Sequence, residues 1–433
     1  MIHRIIPHLS SLSPRLKHGL VLGLILLCGA VLRFRHLDWA RGYYFQPDES
    51  VHTIDYLWRL PASLNPYDAG PYTYGGLPLY LYHFSAQALS RITGEPIWGD
   101  KWHVTLIART YAAATSTITI LLIYVLWHRL GAARVAWVAS LALAVSPLPI
   151  QYAHYGVVDT LLTFWVVLAS LLSLEAWIRD RPACWAIVGL TVGLAVATKT
   201  SGVVWALVFV VAAWGYWLRT HNWRTVLRVL AFGGIGVLIG VLLGSPYYVL
   251  DWPRFRQVMI MQSAKTVTGQ ALCTYHWQFL NVMPFVFQIK QISLWAVGLP
   301  LSVVGLVGLT GLWRHAIWPR GRVAWLLTLV PPTIYFLMIG LWHSKFIRYL
   351  LPVIPYVCFC TAQPLRASLK ARINVVQWGV TLLTVAALLY SAVLGGAVSN
   401  IYGGQDPRVA ASEWMVEHLP AGAAILHDPE PLI

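Results

Sequence analysis

Long apolar runs, each close to the ~20 residues that cross a bilayer as a helix, recur along this chain from residue 19 to residue 394. They predict eleven membrane-spanning helices, at about residues 19–34, 103–127, 135–150, 160–178, 183–198, 203–218, 227–243, 291–313, 323–341, 350–363 and 375–394. The third, fifth and tenth are short for a full crossing. Between the spans lie two long segments, 35–102 and 244–290, both rich in aromatic and turn residues. The second is amphipathic and predicts a helix lying on the membrane surface. The fold class expected is therefore an all-α polytopic membrane protein: a bundle of about eleven transmembrane helices with two long loops bearing short amphipathic helices. Residues 1–397 make the membrane domain. Residues 398–433 make a tail on the outer side, with a surface helix over Asp406–Met415 and a turn into a short strand over Pro420–Leu426. That strand is either the start of a small soluble domain or a segment packed on the membrane part. No internal repeat or low-complexity region is present.

Composition agrees. The chain is 58% hydrophobic and 11% charged, with a mean hydropathy of +0.63, against about 25% charged residues in a soluble domain. A net charge of +15 raises nucleic acid as a partner, but its distribution points elsewhere. With the N-terminus inside, the short inside loops hold Arg4, Arg15, Lys17, Arg129, Arg134, Arg179, Arg181, Arg219, Arg224, Arg228, Arg314, Arg320, Arg322, Arg366, Lys370 and Arg372, with only Glu175 and Asp180 as acids. The excess charge is thus a topology signal under the positive-inside rule and a contact for anionic lipid. No nucleic-acid motif accompanies it. The start of the chain has a basic stretch and an apolar core, as a signal peptide does. No small-residue cleavage site follows, and Arg33 and Arg35 come directly after, so a retained first span is expected. Cys28, Cys184, Cys358 and Cys360 fall in spans and Cys273 stands alone outside, with neither a disulfide framework nor zinc spacing.

Candidate chemistry concentrates in the outer segments. Pro47 suits the first turn of a helix, and Asp48 and Glu49 then sit at its positive end. Asp48 and His52 are four apart and share a face if that helix is α. A solvated helix start outside a span is the plainer reading of such a pair. The aromatic run Pro71–Tyr82, which includes Tyr74, reads equally as interface anchoring or as contact with sugar or lipid. In the third span, Pro147 and Pro149 break the helix at membrane depth, where freed backbone groups need protein or water partners. Tyr152, His154 and Asp159 follow. Asp159 either caps the next helix with Thr160 or serves function at the mouth of the span. Lys199, set between two apolar spans, either snorkels or pairs with an anion, a lipid phosphate being the sharper reading. Tyr247 opens the second outer segment. Lys345 and Arg348, three apart, would share a helix face beside Tyr349; interfacial anchoring is the alternative to phosphate recognition by the arginine fork.

Five of these stretches, taken in order with this topology, resemble the protein O-mannosyltransferase-like glycosyltransferases of family 39, which have the GT-C fold. Phe45–Glu49 resembles that family's Asp-Glu motif, Ser146–Asp159 its second acidic loop, and Ala197–Lys199 its phosphate-facing lysine. Ser245–Tyr247 with Asp251, and Arg348–Leu350 with Pro352 and Pro355, are similar to its later landmarks. The resemblance implies a membrane glycosyltransferase that moves a hexose or pentose from a polyprenyl-phosphate donor to a lipid, glycan or protein acceptor on the non-cytoplasmic face. A prokaryotic plasma membrane is the expected location. The tail departs from members that carry a complete C-terminal soluble domain.

The chemistry of such a transfer needs a base for the acceptor hydroxyl and positive charge on the leaving phosphate. Asp48 is the expected base, with Glu49 holding the acceptor or orienting Asp48. Lys199, Arg348 and Lys345 would bind the donor phosphate, Asp159 would line the cavity, and Tyr74, Tyr152, His154, Tyr247 and Tyr349 would contact substrate or lipid. Attack opposite the phosphate inverts the anomeric centre. No cofactor is obligatory in this reading. A metal-dependent variant would place a divalent ion on Asp48, His52, His154 and Asp159. From another class, a transporter or flippase for lipid-linked sugar would also carry broken spans and buried charges. The acids here lie in outer loops rather than at the bilayer midplane, and no inverted repeat is seen.

Overall fold

The computed structural model describes residues 13–40, 42–271, 274–317, 322–370 and 374–425. Helices follow the predicted spans in order: α1 (Pro14–Phe34), the loop helix α2 (Gly76–Thr93), α3 (Lys101–Arg129), α4 (Ala133–Val145), α5 (Pro147–Ala153), α6 (Val158–Arg179), α7 (Cys184–Thr198), α8 (Leu207–Thr220), α9 (Trp223–Gly244), α10 (Leu299–Ile317), α11 (Arg322–Leu341), α12 (Ile354–Ser368), α13 (Asn374–Ile401) and the tail helix α14 (Pro407–His418). No strand occurs among the described residues. The protein is an integral membrane protein, and the lengths of its described helices do not by themselves establish eleven full crossings. Among the described residues six helices are long and apolar enough to cross a membrane, one of them the run Thr200–Thr220 that ends in α8, and there are up to seven if the bent pair α4–α5 is one span. The apolar parts of α1, α7 and α10 are shorter. The predicted eighth span, 291–313, is interrupted: a π-type turn covers Ile292–Ala296, Gly298 adopts φ +88°, and α10 starts only at Leu299.

The break in the third span occurs at Ser146–Pro147, where α4 and α5 meet at 55°. Prolines 147 and 149 supply no N–H, so carbonyls at the end of α4 lose their helical partners. Side chains replace them. Ser146 Oγ donates to the Ala142 carbonyl at 2.6 Å, and Arg33 donates to Leu143 at 2.9 Å and Ala144 at 2.8 Å. Ser391 of α13 reaches the Val145 carbonyl at 3.5 Å. Arg33 is fully buried, and its Nε is held by Ser116 Oγ at 2.8 Å. A buried arginine at the end of α1 thus caps a broken helix, which makes irregular backbone tolerable at this depth.

Helices α7 and α9 cross through glycine. A Cβ at Gly193 would lie 2.3 Å from the Val237 carbonyl oxygen, and one at Gly240 would lie 2.4 Å from that of Leu190. Small residues let two backbones approach where lipid gives no hydrophobic drive between helices. This contact fixes the end of α7, and the first outer loop latches onto it. Gly75 N–H donates to the Thr198 carbonyl at 3.1 Å, and Gly76 N–H to Ser245 Oγ at 3.1 Å. A Cβ at Gly75 would overlap the Ala197 carbonyl oxygen at 1.7 Å. The loop is therefore held one residue from Lys199.

The loop has its own core. Tyr67, Tyr72, Tyr74, Tyr80, Tyr82 and Tyr248 pack together with Leu57 and Leu79. Most of the loop's aromatic run is neither an interface belt nor a free contact surface. The second outer segment forms short helical turns over Tyr247–Thr268 and is tied to the first by Asn65 Nδ2 donating to Asp251 Oδ2 at 2.9 Å and by Arg254 paired with Asp68. Helix α14 forms where a surface helix is expected, N-capped by Asp406, which accepts from Arg408 N–H at 2.9 Å. Arg408 stacks on Phe45 at 3.8 Å. No strand forms over 423–425, and the rest of the expected strand, like Cys273, lies outside the described residues.

Among the described residues, Arg129, Arg179, Arg219 and Arg366 gather at the far end of α3, which runs from Lys101 beside the first loop to Arg129. Exposed Glu95 and Arg181 mark the two ends. In a cysteine-free background, an impermeant maleimide applied to intact cells is expected to label Glu95→Cys, and to reach Arg181→Cys only after permeabilisation. Labelling of both from one side would sink the orientation expected from charge.

Candidate active site

The stretch before Asp48 folds as its sequence requires. Gln46 is the N-cap of a short helix with Pro47 in its first turn, and the Gln46 side chain accepts from Glu49 N–H at 2.5 Å. The chain then widens into a π-type turn over Ser50–Ile54. Such turns often occur at functional sites. The α-helical face expected to join Asp48 and His52 is therefore not formed, and the His52 side chain lies outside the described residues.

Adjacent carboxylates diverge, as neighbours on a helix must. Asp48 Oδ2 pairs with Arg348 Nη1 at 3.0 Å, and its Oδ1 accepts from Tyr74 Oη at 3.3 Å. Glu49 turns the other way and is fully buried. Arg109 grips it at both oxygens, Nε to Oε1 at 2.8 Å and Nη2 to Oε2 at 2.7 Å, and Gly156 N–H donates to Oε1 at 2.7 Å. Arg109 also donates to the carbonyls of Leu37 and Trp39 and lies over the Trp39 ring at 4.5 Å. Glu49 thus joins the first loop, α3 and the loop after α5.

A second ion pair faces the first. Lys199, just past α7, donates to Asp159 Oδ1 at 2.8 Å in the first turn of α6. Asp159 caps nothing with its side chain, and its Oδ2 is buried without a hydrogen-bond partner. Aromatic rings bridge the two pairs. Lys199 Nζ lies 5.3 Å from the Tyr74 ring and 4.9 Å from the Tyr349 ring, and the Arg348 guanidinium lies 5.3 Å from Tyr349 and 4.1 Å from Phe346. Tyr152 of α5 is within electrostatic reach of Arg348, Asp159 and Asp48. Burial, then the charge of Asp48, holds the Tyr74 phenol well above its ordinary pKa, so Tyr74 remains a hydrogen-bond donor. Arg348 spends Nη1 on Asp48, while its Nε is buried with no partner. The site therefore presents two cations, each already neutralised, and an arginine donor still to be used.

The other expected residues lie elsewhere. Lys345 precedes the 3₁₀ turn Ile347–Leu350 instead of sharing a helix with Arg348, and its Nζ donates to the His343 carbonyl at 3.2 Å. Burial lowers its pKa. Tyr247 donates to the Ser63 carbonyl and joins the two outer segments. Both ring nitrogens of His154 meet backbone carbonyls, Nδ1 that of Ile150 at 2.8 Å and Nε2 that of Arg35 at 2.9 Å, and its ring stacks on Tyr402 at 4.0 Å. Among the described residues no three His, Cys, Asp or Glu side chains converge as a metal site would require. Arg109, Gln46 and Gly156 were not expected from the sequence. A signal for Arg109 existed: it is a charged residue within a predicted span, at 103–127.

Comparison with known proteins identifies the fold. Residues 97–249 match the family model described as dolichyl-phosphate-mannose-protein mannosyltransferase. Over 164 residues the chain is 32% identical to an undecaprenyl phosphate-alpha-4-amino-4-deoxy-L-arabinose arabinosyl transferase of Pseudomonas fluorescens, an alignment spanning 36% of this chain and 28% of that protein. The crystal structure of ArnT from Cupriavidus metallidurans bound to undecaprenyl phosphate superposes with a TM-score of 0.56 at 18% identity, covering 91% of this chain and 79% of that one. The Archaeoglobus fulgidus oligosaccharyltransferase in its apo form gives a TM-score of 0.57 at 16% identity, covering 94% and 58%. The same archaeal enzyme with an inhibitory peptide and a dolichol-phosphate gives 0.57 at 18% identity. The fold is the GT-C fold.

Proposed function

We propose that this protein is an inverting membrane glycosyltransferase that takes a sugar from a polyprenyl-phosphate donor at the Asp48 face, with Asp48 as the base. The observation that carries the reading is the paired site itself: a buried carboxylate at a helix start, 3.0 Å from Arg348, beside a Lys199–Asp159 pair. The solved GT-C structures that hold undecaprenyl phosphate or dolichol-phosphate support a donor of that kind. Lys199 and Arg348 receive the phosphate. Arg348 offers Nε, its unused donor, and Lys199 has further protons beyond the one on Asp159. Asp159 keeps Lys199 placed. Tyr74, Tyr349 and Tyr152 line the space between. When the acceptor hydroxyl attacks the anomeric carbon opposite the phosphate, Asp48 takes its proton, the glycosidic C–O bond to phosphate breaks, and the departing phosphate carries the electron pair against the two cations. Glu49, with both oxygens held, orients the Asp48 segment rather than touching the acceptor. No divalent ion is required in this reading, and His154, lying between the carbonyls of Ile150 and Arg35, serves packing.

Proteoliposomes with donor lipid and a range of sugar, lipid and peptide acceptors test the activity. Release of free prenyl phosphate with an inverted product supports it, and movement of intact donor across the bilayer without cleavage would make the protein a transporter. For the clamp, Lys199→Ala and Arg348→Ala are each expected to weaken prenyl-phosphate binding by at least about tenfold, since a desolvated charge contact is worth several kcal/mol. Unchanged affinity in both folded variants would leave the pairs as purely structural.

A further inference from the structure

At the opposite end of the bundle is a cleft of about 510 Å³ between the ends of α3, α6 and α11, lined by Arg129, Leu130, Leu174, Trp177, Ile178 and Trp325. The site described above makes no use of it. Its walls are of two kinds. Leu130, Leu174 and Ile178 give an apolar side, and the indoles of Trp177 and Trp325 join the lining. Cations crowd the other side. Glu175 is bracketed by Arg129 at 2.6 Å and Arg179 at 3.6 Å, so one carboxylate meets two guanidiniums. Arg219 lies over the Trp177 ring at 5.1 Å and is paired with Asp180. Arg366 of α12 is different: it stands 5.5 Å from the Trp325 ring and 5.9 Å from Trp127, and among the described residues it has no carboxylate partner and its buried Nη1 has no hydrogen bond. Arg129 lines the cleft itself, and Arg179, Arg219 and Arg366 stand against residues at its edge, so four guanidiniums meet two carboxylates at this end of the bundle. A desolvated arginine donor left without a hydrogen bond next to a cleft calls for an acceptor of opposite charge.

We propose that this cleft binds the headgroup of an anionic glycerophospholipid from the leaflet on the basic-loop side, its phosphodiester on Arg366 and Arg129 and its upper acyl chain along Leu174 and Ile178. The lining favours lipid over free phosphate, because it sets a guanidinium beside the apolar Leu130, Leu174 and Ile178. The function follows from position: α3 carries Arg109, which holds the Asp48 segment, and α6 carries Asp159, so lipid at this end ties together the two helices that support the catalytic face at the other.

The test uses the full-length protein in detergent, stripped of lipid, then titrated with phosphatidylglycerol, phosphatidylcholine or inorganic phosphate and read by native mass spectrometry and melting temperature. Phosphatidylglycerol is expected to bind and to raise the melting temperature, with phosphatidylcholine weaker. Arg366→Gln should lose phosphatidylglycerol affinity by at least about tenfold, and the exposed rim variant Arg179→Gln by about fivefold, the worth of one cation near an anionic surface. Prenyl-phosphate binding at the Asp48 face should be unmoved in Arg179→Gln, which separates this site from the proposed transferase site. Equal binding of the two phospholipids, stabilisation by inorganic phosphate alone, or unaltered selectivity in both variants would overturn the proposal. Should Arg366→Gln fail to fold, Arg179→Gln still decides it.

Discussion

Asp48→Asn is expected to lower sugar transfer by about 10²–10⁴-fold, the range a general base contributes, while donor binding survives. The carboxamide has nearly the same shape, and its oxygen can still accept from Tyr74, which keeps its proton because burial and its carboxylate neighbour hold it there. What the variant loses is the basic oxygen and the counter-ion of Arg348. The second loss works in favour of the donor: an arginine without its carboxylate, and with Nε already unpaired, takes a phosphate at least as readily. The expected signature is therefore split, with kcat collapsed and prenyl-phosphate affinity equal or raised. Chelation should leave the wild type active, and His154→Ala should act through stability, since the histidine ties Ile150 to Arg35. A metal-dependent reaction would instead make chelator and the histidine variants as damaging as Asp48→Asn. Near-normal turnover in Asp48→Asn removes the base from either scheme.

The positions of the elements were legible because they rest on hydrophobicity and proline, which act locally. Pro47 starts a helix, Pro147 and Pro149 break one, and apolar runs mark the bundle. The number of full crossings was less so. A run of apolar residues reports solubility in lipid, while the start of α10 is decided by Gly298 and by the π-type turn before it. Candidate acids and bases could also be named, since buried charge in a membrane protein is costly and rarely incidental. Their pairing could not. Lys199 with Asp159 and Asp48 with Arg348 join residues 40 and 300 positions apart in the chain. Such contacts are set by how α7 sits on α9 through glycine and by the latch of Gly75 onto Thr198. Lys345 shows the converse failure: three-residue spacing implies a shared face only within a helix, and the chain there is not helical.

Glu49 and Arg109 were the least visible pair, and they carry the second large effect. Both side chains are fully excluded from solvent, and the guanidinium is further committed to two carbonyls and an indole face. Taking away one member leaves an uncompensated buried charge, at a cost of about 3–5 kcal/mol. Glu49→Gln and Arg109→Leu are therefore each expected to lower thermal stability in detergent markedly. They should also slow turnover, because the Gly156 loop and the Asp48 segment lose their common anchor. Replacing both at once, Glu49→Leu with Arg109→Met, removes the charges together and should recover most of the stability. It should not recover turnover to the same degree, since the directed bonds to Gly156, Leu37 and Trp39 that set the angle of the Asp48 helix are gone. A role for Glu49 in holding the acceptor would read differently: acceptor KM would rise in Glu49→Gln with the melting temperature unchanged, and the double variant would be no more stable than either single one. The melting temperatures of these three variants, set beside acceptor KM and kcat, separate an anchor from a binding group at the residue next to the base.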